Sequence, residues 1–157
     1  MLGQPERRGR NTEPSSLAQA RSAQDAANDP TVTTKLRVLL IEDSALLRER
    51  LQSMFAQYPD LEIVAYSESE QDALKKIAEV EHDALVVDLE LKPGSGIPVI
   101  RRAKIDRPHV PVIVLTNYDL PTVRDRCRAA GADRFFDKMR EIHRLIPSLQ
   151  ELAGRAV

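Results

Sequence analysis

The chain has 157 residues, a formal net charge of −1, 30% charged residues, one Cys, no Trp, and three each of Tyr and Phe. That length allows one domain and a remainder, with a core large enough to close without staples. The lone Cys127 excludes an internal disulfide and suits a reducing compartment, the near-neutral charge gives no ground for wholesale nucleic-acid binding, and no apolar run reaches the ~18–20 residues of a membrane helix.

Residues 1–34 hold no aromatic side chain, and Val32 is their only β-branched aliphatic. Too little apolar surface is present to offset the entropy of ordering, so the segment is predicted as a disordered tail. Within it, Ser15 to Ala27 can form a short Ala-rich helix capped by Ser15, marginal by itself. Arg7-Arg8 precedes no apolar stretch, so it is not an export signal, and a cytoplasmic protein without membrane insertion is expected.

From Lys35 onward the texture changes. Leu36–Ile41 reads as a strand. Ala45–Tyr58 carries Leu46, Leu47, Leu51, Met54 and Phe55 at helical spacing, with Ser44 as N-cap and Pro59 beyond the end. Leu61–Tyr66 is a second strand and Ser69–Val80 a second helix. Ala84–Leu89 follows as a third apolar run holding Asp88 near its end, then a Gly94-Ser95-Gly96 loop and a helix with Val99, Ile100 and Ala103 inward. Val110–Thr116 is the fourth strand, and Leu120–Ala130 is a helix stopped by Gly131. Arg134–Asp137 makes a fifth strand, and Arg140–Ala153 a closing helix. Strands without polar alternation, each followed by a helix, define an α/β fold: a parallel sheet covered on both faces.

Ligands of open parallel sheets collect beyond the carboxyl ends of the strands. There the sequence sets Glu42-Asp43, Asp88, Thr116 and Lys138. Crowded acids repel unless a cation joins them, and hard oxygen donors with open positions suit Mg²⁺. A Thr hydroxyl and a Lys ammonium are suited to phosphoryl oxygens, and an Asp carboxylate can serve as nucleophile. This edge points to phosphoryl chemistry on an Asp.

The set resembles the receiver domain of two-component response regulators over about residues 35–154. The resemblance rests on Glu42-Asp43, Asp88 in Val-Val-Asp-Leu, Lys92-Pro93-Gly94, Thr116 in Val-Leu-Thr-Asn, and Lys138. It implies a flavodoxin-like doubly wound sheet of five parallel strands, order 2-1-3-4-5, with five helices, occupying residues 35–157. It further implies that Asp88 accepts a phosphoryl group from a histidine kinase or histidine phosphotransferase, with Thr116 and Lys138 contacting that group. Mg²⁺ is the implied cofactor, held by Asp43 and Asp88, the backbone carbonyl of Glu90, and Glu42 through water. Thr116 and Phe135 hold the family's switch positions, and their movement alters the surface of the fourth helix, fifth strand and fifth helix for binding a protein target or for onward phosphoryl transfer in a relay. The departures are Glu42 for the commoner Asp, Met139 where Pro is frequent, so that no cis peptide is expected after Lys138, Asn117 beside Thr116, and Phe135 without a hydroxyl.

Little chain follows the closing helix, so a single-domain regulator acting through its own surface is expected, as a signalling switch that catalyses its own phosphoryl transfer and not a metabolic enzyme. The competing readings are a phosphorylation-independent adaptor that keeps the fold for docking, and a small phosphatase using Glu90 as second acid. The basic runs Arg101, Arg102, Lys104, Arg107 and Arg124, Arg126, Arg128 read as solvated faces, with no nucleic-acid partner expected. Cys127 reads as a packing residue.

Overall fold

Successive residues of a strand point to opposite faces, and here both faces are apolar. Leu36, Val38 and Leu40 enter one core while Leu39 and Ile41 enter the other. The same alternation divides Ala84 and Val86 from Leu85 and Val87, and Ile113 and Leu115 from Val112 and Val114. A sheet buried on both sides therefore follows from these runs. The structure, a computed structural model, describes residues 34–155. Apart from Thr34, the segment predicted as a tail lies outside the described residues.

The elements are β1 (Leu36–Ile41), α1 (Ala45–Phe55), β2 (Leu61–Ser67), α2 (Glu70–Glu79), β3 (Ala84–Val87), α3 (Gly96–Asp106), β4 (Val112–Thr116), α4 (Pro121–Ala130), β5 (Arg134–Asp137), a 3₁₀ turn (Ile142–Arg144) and α5 (Leu145–Arg155). All strand pairs are parallel, and the five-stranded sheet has the expected order β2-β1-β3-β4-β5. One core lies under α1 and α5, with Leu51, Phe55, Leu145 and Leu149. The other lies under α2, α3 and α4, with Ile77, Ile100, Ala103 and Cys127. Leu39 and Leu149 have no exposed surface, and truncating either to Ala costs about 2–5 kcal/mol.

Local chemistry sets the ends. Ser44, Ser69 and Ser95 cap α1, α2 and α3, each side chain accepting a backbone N–H. Pro121 opens α4, and Gly131 ends it at φ 108°, a left-handed conformation that glycine adopts without a Cβ clash. Several predicted boundaries move, α1 ending at Phe55 and not Tyr58 among them, and three have a plain backbone reason. β3 stops at Val87, the partner of Ile41, because β1 ends there. β4 begins at Val112 and not Val110, since Pro111 has no N–H for the ladder. The closing helix begins at Leu145 and not Arg140. Started earlier, it would bury Pro147 mid-helix, whereas here Pro147 sits in the first turn. The freed residues form a turn in which Asp137 Oδ1 accepts from the N–H groups of Met139 and Arg140 at 2.9 and 2.8 Å.

Candidate functional site

Ending four parallel strands at one edge brings together residues far apart in sequence. Glu42 leaves β1, Asp88 leaves β3, Thr116 ends β4 and Lys138 leaves β5. Glu42, Asp88 and Thr116 are buried, at 1%, 4% and 0% exposure. Asp43 is half-buried, and Glu90 is exposed beside it.

The Lys138 ammonium holds this edge together. Its Nζ lies 2.8 Å from Asp88 Oδ2 and 2.8 Å from Glu42 Oε2. Burial pulls the ammonium towards its neutral form, but hydrogen bonds and charge from the two carboxylates outweigh that, and its pKa is raised. For Glu42, burial dominates over the Lys138 contact and raises its pKa. The second Glu42 oxygen accepts the Ser44 N–H at 3.0 Å, and Asp88 Oδ1 accepts the Glu90 N–H at 3.3 Å. Lys138 is placed through the backbone as well, its N–H donating to the Thr116 carbonyl at 2.9 Å.

Glu42, Asp43 and Asp88 can each turn a carboxylate oxygen to a point where all three lie within 4.8 Å of one another. An all-carboxylate set of this size fits a hard divalent cation such as Mg²⁺ and lacks the soft donors that favour zinc. Of the residues named from sequence, Glu42, Asp43, Asp88 and Lys138 therefore meet directly. Thr116 presents its hydroxyl, which accepts from the Tyr118 N–H at 3.4 Å. Glu90 borders the site and hydrogen-bonds the Tyr118 phenol, which raises that phenol's pKa. Phe135 lies away from the carboxylates, half-buried, with the Arg124 guanidinium 4.5 Å from its ring centre. The Lys138–Met139 peptide is trans; among the described residues the cis bond is Lys92–Pro93.

Several supporting residues were not singled out from sequence. Arg48 donates to the Glu42 carbonyl at 2.9 Å and pairs with Glu68 at 2.7 Å, bracing the acidic turn from α1. Its place four residues beyond the Ser44 cap resembles that of any solvated arginine. Gly96 allows α3 to start directly against the acceptor loop: a Cβ there would lie 2.2 Å from the Asp88 carbonyl oxygen. Its Gly-Ser-Gly context was the available signal. Arg124 is not a freely solvated charge, since it pairs with Asp119 at 2.5 Å and Glu141 at 3.4 Å. Arg126 and Arg128 are exposed as predicted. Cys127 is buried, and burial raises its thiol pKa.

An open parallel sheet of order 2-1-3-4-5, with acids and a lysine gathered beyond the carboxyl ends of its strands, defines a doubly wound α/β domain with its ligand edge there. Residues 38–150 match the family described as "Response regulator receiver domain", and the chain belongs to that family. Among relatives, it is 31% identical over 126 residues to protein-glutamate methylesterase/protein-glutamine glutaminase 1 of Carboxydothermus hydrogenoformans, covering 79% of this chain and 37% of that one. It is 34% identical over 121 residues to the protein of the same description from Methanospirillum hungatei, covering 76% and 34%. The chain thus spans about a third of the length of these relatives. Its fold is shared with the response regulator domain of Thermotoga maritima CheB (TM-score 0.65, 22% identity, 78% and 96% coverage) and a Francisella receiver domain (0.69, 21%, 78% and 100%). No described helix is long and apolar enough to cross a membrane.

Proposed function

We propose that the chain is a phosphoacceptor switch of two-component signalling. Asp88 attacks the phosphorus of a phosphohistidine on a kinase or phosphotransferase; the new P–O bond forms as the P–N bond breaks and the imidazole leaves with a proton. Lys138, which neutralises Glu42 and Asp88, then turns its ammonium to a phosphoryl oxygen, and the Thr116 hydroxyl donates to another. Asp43, Asp88 and the Glu90 carbonyl, with Glu42 through water, would hold Mg²⁺, which would supply charge stabilisation for the transferring group. The phosphorylated form moves Thr116 and Phe135 and presents a changed α4–β5–α5 surface to a protein target in the cytoplasm. Nucleic acid is not part of this reading: Arg102, Lys104 and Arg107 on and after α3 are engaged by Asp106, Asp133 and Glu81.

The observation that carries the reading is the Lys138 bridge between two buried carboxylates beside a third. Incubation with acetyl phosphate and Mg²⁺, followed by intact-mass measurement, should add one phosphoryl group to the wild type and none to Asp88→Asn. Asp43→Asn should retain the fold and lose most Mg²⁺-dependent labelling. Equal labelling of Asp88→Asn and the wild type refutes the assignment.

A further inference from the structure

The Arg124 side chain reaches three partners, one on each of two loops and one on β5. Its Nε lies 2.5 Å from Asp119 Oδ1, its Nη2 lies 3.4 Å from Glu141 Oε2, and its Cζ stands 4.5 Å from the Phe135 ring centre. Asp119 belongs to the loop between β4 and α4, three residues after Thr116, and Tyr118 of that loop donates its N–H to the Thr116 hydroxyl. Glu141 closes the turn that carries Lys138: its Oε2 accepts the Asp137 N–H at 2.9 Å, and its own N–H donates to the Asp137 carbonyl at 2.8 Å. One guanidinium therefore touches both loops that bring Thr116 and Lys138 to the carboxylate edge. It also covers an aromatic ring that has no hydroxyl of its own to bond.

We propose that Arg124 is a charge clamp that ties the loop after Thr116 to the turn carrying Lys138 and pins Phe135 half-exposed, so that it favours the resting arrangement of the site. Only the resting-state bias rests on the phosphoacceptor reading; the joining of the loops does not. A phosphoryl group on Asp88 draws the Lys138 ammonium off Asp88 Oδ2 and asks the Thr116 hydroxyl to face a new anion, and both loops must adjust. The clamp resists because the planar fork of arginine is held at two carboxylates and stacked on the ring at once, a geometry that a lysine ammonium does not reproduce. Ligands that bind only the adjusted form have to overcome it.

The test uses the full chain and the variants Arg124→Gln, Arg124→Lys and Asp119→Asn. Arg124 is 35% exposed on a helix that Gln and Lys also favour, so folding is retained. Amide hydrogen exchange is measured without ligand, and beryllofluoride binding with Mg²⁺ is followed by NMR titration. Exchange should rise together in residues 117–120 and 138–141 of Arg124→Gln and Asp119→Asn, with Arg124→Lys intermediate. Beryllofluoride should bind Arg124→Gln about three- to tenfold more tightly than wild type, the scale of one stacked cation and its surface ion pairs. Unchanged exchange, or exchange raised in only one of the two segments, overturns the clamp. Affinity unchanged or reduced overturns its bias towards the resting form. Failure of the wild type itself to bind beryllofluoride removes the phosphoacceptor reading and that bias with it, while the exchange result alone decides whether the loops are joined.

Discussion

Lys138 donates to Asp88 Oδ2 at 2.8 Å across 50 positions of sequence, with β4 lying between the strands that carry them. The ammonium also meets Glu42 from the end of β1 at the same distance. A lysine whose side chain is 10% exposed thereby compensates two acids whose side chains are 2% and 4% exposed. Its loss leaves negative charge buried without a partner, which is more costly than losing a solvated ion pair.

Lys138→Met should therefore lower folding stability by about 3 kcal/mol in urea unfolding without divalent cation. Mg²⁺ can replace the missing positive charge at the same carboxylates. Its addition should raise the unfolding midpoint of the variant by more than that of the wild type. Equal increments would mean that the cation does not sit among these acids.

Gly96→Ala places a methyl 2.2 Å from the Asp88 carbonyl oxygen, a contact with backbone that cannot rotate away. Either α3 or the loop after β3 must retreat. A loss of roughly 2 kcal/mol is expected, together with at least a few-fold slower labelling of Asp88 by acetyl phosphate. Gly154→Ala has no neighbour within 4 Å to meet and serves as the control.

Tyr118→Phe deletes the phenol that hydrogen-bonds Glu90 at the rim of the site. Glu90 is then free to move, and water gains access to the phosphorylated Asp88. The phosphorylated form should decay about two- to fivefold faster, the scale of one solvent-exposed contact of about 0.5–1 kcal/mol. Decay at the wild-type rate would show that the phenol does not shield the site.

His82 is 3% exposed, and its Nδ1 donates to the Val80 carbonyl at 2.7 Å, while its Nε2 has no hydrogen-bond partner. Burial lowers its pKa below the ordinary 6.5, so the folded chain refuses a proton that the unfolded chain accepts. Stability is then complete above pH 6.5 and declines as pH falls from there towards the folded value, with a limiting slope of about 1.4 kcal/mol per pH unit. His82→Asn keeps a donor for Val80 without the titration. Its stability should fall less between pH 6.5 and 5 than that of the wild type, as thermal unfolding in matched buffers can measure.

The alternation of strands and helices and the residues at the strand ends were legible in the chain itself, while the sheet order came through the family resemblance that those residues carry. Runs such as Leu85-Val86-Val87, bounded by turn residues and alternating with helices, fit strands covered on both faces, and the ends of such strands are where ligands of open sheets collect. Element ends were less legible, since Pro111 and Pro147 act through backbone partners supplied by other segments. The tertiary structure alone decided which charges compensate which. Arg48 bracing the Glu42 turn and Gly96 seated on the Asp88 carbonyl are contacts between distant or reversed segments. Arg124 looks identical to Arg126 and Arg128 in sequence, yet only Arg124 faces Phe135 and Glu141. The physical reason is range. Periodicity and composition report on neighbours along the chain, whereas a charge pair is set by where two loops come to rest, and that depends on the packing of the whole sheet.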